Sequence, residues 1–88
     1  MASKILSGQM TGTGVAAAST VTCNRALIDI DFSSTGTVLL EWCVDGANWK
    51  PYGSYTADQH LVVDFGVNVP IRLNCSVYAA AIDWSIRV

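Results

Sequence analysis

The chain has 88 residues, of which 51% are hydrophobic and 14% charged, enough for one domain that buries only somewhat more than about 60% of its unfolded surface. A formal net charge of −2, with five Lys and Arg scattered along the sequence, offers no clustered basic face for nucleic acid, and no apolar run reaches the roughly 18 residues of a membrane-spanning helix. A charged share this far below the usual ~25% implies that part of the outside is covered by a partner.

At the N terminus Lys4, Ile5 and Leu6 give way to Ser7, Gly8 and Gln9, so the apolar core of a secretory signal is missing and a soluble protein folded where it is made is expected. Lys4 to Met10 and Val15 to Cys23 can be strands, joined by a Thr11-Gly12-Thr13-Gly14 turn, but their small residues bring little core volume. Residues 1–22 are therefore expected to be an edge hairpin or an arm. Arg25 to Phe32 alternates cleanly, with Ile28, Ile30 and Phe32 on one face and Asp29 and Asp31 on the other, the pattern of a half-buried strand.

Val38 to Val44 is the next strand, Trp49 to Tyr55 its return, His60 to Phe65 another, and Val69 to Val77 a further one. Ala81 to Val88 closes the chain with Ile82, Trp84, Ile86 and Val88 against Asp83, Ser85 and Arg87. No segment has a convincing helical period. Short strands at this spacing predict one all-β domain over residues 1–88, a small antiparallel β-sandwich or barrel of six to eight strands.

The Val38 to Tyr55 hairpin can be read to its register. A two-residue turn at Asp45-Gly46 suits the positive φ angles of a type I′ turn and sets Trp42 opposite Trp49 and Glu41 opposite Lys50. A longer loop, Asp45 to Asn48, loses both matches. Pro51 cannot donate to a ladder, which places the returning strand at an edge.

Catalytic and metal-binding patterns are absent from this reading. The cysteines, Cys23, Cys43 and Cys75, are odd in number and lack CxxC spacing, so they are expected to be free thiols, with at most Cys75 in the core beside Ile71, Leu73 and Val77. His60, the single histidine, has no carboxylate or cysteine at a helical or hairpin spacing and reads as solvent-facing. Asp29 and Asp31 could share a calcium ion, but no loop completes six to eight oxygen ligands, so a solvated face is expected. No GxSxG elbow or phosphate loop occurs. The expectation is a protein that is not an enzyme and carries no cofactor.

Contact residues are sought instead among aromatic and outward apolar side chains. Trp42 and Trp84 share parity with aliphatic core residues, and Trp49 is expected to turn inward toward Trp42. Tyr52, placed opposite Leu39 on the outward face, and Tyr55 lie on the edge strand, where rings can meet a protein or a sugar. Leu27, Leu39 and Val62 are apolar on the outward parity. Leu39, Tyr52, Tyr55 and Val62 are the candidate partner-binding residues.

The run STGTVLLEWCVDGANWKPYGSYTAD, followed by VPIRLNCSVYAAAIDWSIRV, resembles small β proteins encoded among tailed-phage virion genes. The matching positions are Thr35 to Val38, Asp45, Gly46, Trp49, Tyr55 to Asp58, Arg72, Leu73, Cys75 and Tyr78. They cover roughly the last two thirds of the chain and leave out the N-terminal segment. The resemblance implies a capsid decoration or cement protein, made in the host cytoplasm and seated on the virion surface. It would bind the major capsid protein or another virion protein and itself, as a homo-oligomer and most often a trimer. Met1 to Thr22, rich in small residues and outside the matching region, is the segment expected to reach toward a neighbour by adding to a strand edge. The alternative is a tail or fibre module that binds a receptor or carbohydrate through the Tyr52/Tyr55 edge.

Overall fold

The computed structural model describes residues 4–88, and its described part is all strand and turn: β1 (Ile5–Met10), β2 (Gly14–Phe32), β3 (Gly36–Trp42), β4 (Lys50–Tyr55), β5 (Gln59–Tyr78) and β6 (Ile82–Arg87). All-β, antiparallel and six-stranded is the expected class. Two of the strands are longer than the alternation implies. Val15 to Cys23 and Arg25 to Phe32 are one strand, β2, whose pairing shifts between Cys23 and Arg25; His60 to Phe65 and Val69 to Val77 are likewise fused in β5. Gly66 explains the second fusion. It takes φ +80 and donates its N–H to the Asp64 carboxylate at 2.9 Å, so Asp64-Phe65-Gly66 bends the strand without ending it.

Hydrogen bonds link the strands in the order β1-β6-β2-β5-β3-β4, but the long strands change neighbours along their length. The second half of β2 lies between β6 and the start of β5, with Ile28 facing Ile86 on one side and Leu61 on the other. The second half of β5 lies between the start of β2 and β3, with Leu73 facing Ala16 and Leu40. One layer is thus β1, β6, late β2 and early β5; the other is early β2, late β5, β3 and β4. With each long strand counted twice, this is the strand order of a jelly roll.

Burial shows that the two layers close on each other. Ile28, Ile30, Ile82 and Ile86 of the first layer and Val38, Leu40, Ile71 and Leu73 of the second are all 0% exposed and belong to one apolar cluster. An isolated sheet would leave one face wet, and no helix among the described residues covers it. The bent β2–β5 ribbon is the hinge that brings the faces together.

The N-terminal strands are part of this sandwich. β1 pairs with β6 and early β2 with β5, so they lie at edges but do not form a hairpin with each other. Their small residues have a packing role: a Cβ on Gly8 would come within 2.9 Å of Trp84 Cζ2, so glycine lets the buried indole lie across β1. Between Ala16 and Val21 the β2 ladder is interrupted. There the fully buried Ser19 hydroxyl donates to the Ala16 carbonyl at 2.5 Å and accepts the Leu73 N–H at 2.8 Å, in place of the missing backbone bond.

Several expectations are corrected. The cysteines are free, but all three are buried; Cys23 as well as Cys75 lies in the core cluster, and burial raises the pKa of both thiols. Val77 is 53% exposed because a register shift between Thr37 and Val38 turns it out of the Ile71–Cys75 parity.

The hairpin register also differs. Trp42 faces Lys50, Glu41 faces Pro51, and Leu40 faces Gly53, with an extra residue at Tyr52. Neither Trp42–Trp49 nor Glu41–Lys50 forms. The loop is set by the Asp45 side chain, which accepts N–H bonds from Ala47 and Asn48 at 2.9 and 2.8 Å, while Gly46 takes φ +78. Pro51 does lie on an edge strand, since β4 pairs only with β3.

Candidate interaction surfaces

On the outer face of the first layer, Leu27 of β2 stands directly across from Val62 of β5, and these side chains are 41% and 57% exposed. Leu27 is also paired with Arg87 of β6. Leu27, Val62, Ala26 and Val88 line a shallow groove of about 360 Å³ together with Arg25, Arg87 and Asn24. The ion pairs among the described residues involve neither arginine. The groove therefore offers an apolar floor and two guanidinium groups free to meet carboxylates.

Further along the same face is a histidine–aspartate pair that the sequence reading missed. β2 and β5 set Asp29 opposite His60, and His60 Nδ1 lies 2.7 Å from Asp29 Oδ1. His60 is solvent-facing as expected, its side chain 69% exposed, but it does have a carboxylate beside it, because cross-strand register joins positions that no helical or hairpin spacing connects.

The outer face of the second layer carries a different cluster. Arg72 Nε donates to Glu41 Oε1 at 2.7 Å, Asn74 Nδ2 approaches the same oxygen at 3.4 Å, and Trp49 lies 4.2 Å from the Arg72 guanidinium carbon. Glu41 is only 8% exposed. Trp49 is half-buried and folds over this ion pair from the β3–β4 loop, so the expected inward stack on Trp42 does not occur. Trp42 meets Tyr52 edge-on at 4.8 Å, and Tyr52 meets Phe65 at 5.1 Å.

The four expected contact residues are consequently not brought together. Val62 forms part of the first-layer groove, while Leu39 is half-buried on the opposite outer face, across from Ser54 and Asn74. Tyr52 is not opposite Leu39; as the extra residue of β4 it turns to Trp42 and Phe65. Tyr55 packs half-buried against the core, and burial, with Tyr52 nearby, raises its pKa. Arg25 and Arg87 were missed. Their signal was present in the outward parity they share with Leu27 and Val62.

The β3–β4 loop yields a pH prediction. The Asn48 N–H, then the Ala47 N–H, then the Asn48 side-chain amide hold the Asp45 carboxyl at a pKa of about 2, below its ordinary 3.8. A group depressed on folding contributes stability above its unfolded value and loses it as pH falls through the folded one. The loop should therefore hold above pH 3.8 and loosen toward pH 2. Carbon NMR of the Asp45 carboxyl should give a midpoint near 2; an ordinary midpoint would mean that these bonds do not form in solution.

A scan against protein-family models, a search of curated proteins and a search of solved structures each return no match.

Proposed function

We propose that this chain is a structural subunit seated on other proteins, specifically a decoration or cement protein on a virion shell, in line with the phage-like residues quoted above. The observation that carries the reading is the Leu27–Val62 groove with Arg25 and Arg87 at its margin. Exposed apolar side chains paired with unopposed guanidinium groups suit a protein segment that presents an apolar residue beside a carboxylate. The unpaired edges of β1, β4, early β2 and early β5 add backbone donors and acceptors that favour association by strand addition, including the expected trimer. The described part of the N-terminal segment is engaged in its own sheet, so the groove, more than an arm, is the proposed contact.

The glycan-binding alternative needs open ring faces at Tyr52 and Tyr55. Tyr52 is 40% exposed but packs against Trp42 and Phe65, and Tyr55 is half-buried, so the edge does not offer two open ring faces.

Sedimentation and co-pelleting with empty shells test the proposal. The full chain should sediment as an oligomer or pellet with shells at micromolar concentration, and Val62→Asp should abolish this while thermal unfolding is unchanged. A stable monomer without shell affinity would remove the decoration reading.

A further inference from the structure

We propose that Asp29, Asp31 and His60 form a binding site for a divalent transition-metal ion of the zinc type on the outer face of the first layer, independently of the shell-contact groove. β2 places both aspartates on one face, and the β2–β5 register sets His60 directly across from Asp29. One donor atom from each of the three side chains lies within 4.8 Å of the others.

The spacing suits a small ion. Donors held ~2.1 Å from zinc in a tetrahedron are about 3.4 Å apart. The Asp29–His60 pair stands at 2.7 Å and the full set within 4.8 Å, a range that brackets that separation. Side-chain rotations of about an ångström, on strands that need not move, would bring the three donors to it.

The Asp29 carboxylate is the least exposed group of the three. Its Oδ1 is closed off from water, although the side chain as a whole is 35% exposed, and His60 Nδ1 stands beside it at 2.7 Å. A carboxylate oxygen that has lost its hydration gains from a cation held between it and the imidazole. The surrounding charge acts the same way. Asp83 of β6 stands opposite Asp31, its carboxylate accepts Gln9 Nε2 at 3.0 Å, and no Lys or Arg among the described residues forms an ion pair with Asp29, Asp31 or Asp83. Like charges directly across a ladder are destabilising, and a divalent cation offsets them.

The donor set selects the ion. One imidazole and two carboxylates suit zinc, cobalt, nickel or copper, whereas calcium requires six to eight oxygens. Three protein ligands leave a coordination position for water or for a group from a bound partner. His60, with its side chain 69% exposed, can turn toward the ion without disturbing the core.

The chain's single histidine makes the test specific. Zinc chloride is titrated into tag-free, full-length, nitrogen-labelled protein while the imidazole resonances are followed. The expected result is a saturable shift at one equivalent, with Asp31→Asn and Asp29→Asn each weakening affinity by about tenfold or more and the backbone amide spectrum retaining its dispersion. The ring readout separates this site from zinc capture by the cysteines. The proposal is overturned if the ring does not shift up to about 1 mM zinc, or if both asparagine variants bind as tightly as the parent, since a lone imidazole would then account for the binding.

Discussion

Alanine at Arg72 is expected to destabilise the domain by about 2–3 kcal/mol, and alanine at Lys50 by no more than about 0.5. Arg72 is the partner of Glu41, whose side chain is 11% exposed against 23% for the guanidinium side chain. Removing the arginine leaves a largely buried carboxylate with only the 3.4 Å approach of Asn74. Loss of one partner from a buried pair costs about 3–5 kcal/mol, and the partial exposure of Arg72 lowers that figure because water can reach the vacated position. The stacked Trp49 adds about 0.5–1 kcal/mol of its own. Lys50 is exposed and faces Trp42 across the ladder, so its loss removes no buried contact. Urea unfolding of the two variants gives the comparison directly; equal losses would return Glu41 to the Lys50 pairing that a two-residue turn implies.

That contrast marks where the sequence stops being legible. Alternation within one strand identifies the inward set, and Ile28, Ile30, Leu40, Leu73, Ile82 and Ile86 are all fully buried. It does not identify the neighbour on the far side. Glu41 has two candidate ladders, the adjacent hairpin strand and β5, and its ion-pair partner is 31 positions away on the latter. The same limit hides His60 from Asp29, which it faces across β2 and β5.

Bends are illegible for a related reason. Gly66, Val67 and Asn68 read as a break between strands, yet Gly66 with φ +80 keeps the ladder partners of Val63 and Val69 on the same strand, β2. An expectation of as many as eight short strands and the observed six are thus the same layered arrangement, with two of its corners bent instead of cut. Tyr52 shows the smallest form of the effect: one extra residue in β4 moves its ring from the outer face to Trp42 and Phe65.

The second large effect lies in the core and separates two adjacent residues. Ile28→Ala should cost about 2–5 kcal/mol through lost burial and the cavity left behind, whereas Leu27→Ala should cost less than about 1. Ile28 is 0% exposed and belongs to the cluster shared by both layers; Leu27 is 41% exposed on the outer face. A chain of 88 residues, at ~0.05–0.15 kcal/mol per residue, has a total stability of only about 4–13 kcal/mol. Alanine at Ile28 therefore removes a large fraction of it, and a second core truncation at Ile71 in the facing layer should leave little folded protein at room temperature. Denaturant midpoints for the single and double variants, read beside Leu27→Ala, check this. If Leu27→Ala proves as costly as Ile28→Ala, the outer face is packed within the monomer and the groove is not open to a partner. If the costs divide as expected, Leu27 contributes little to folding where it lies beside two arginines that form no ion pair among the described residues, which is the open outer face that the proposed contact with another protein requires.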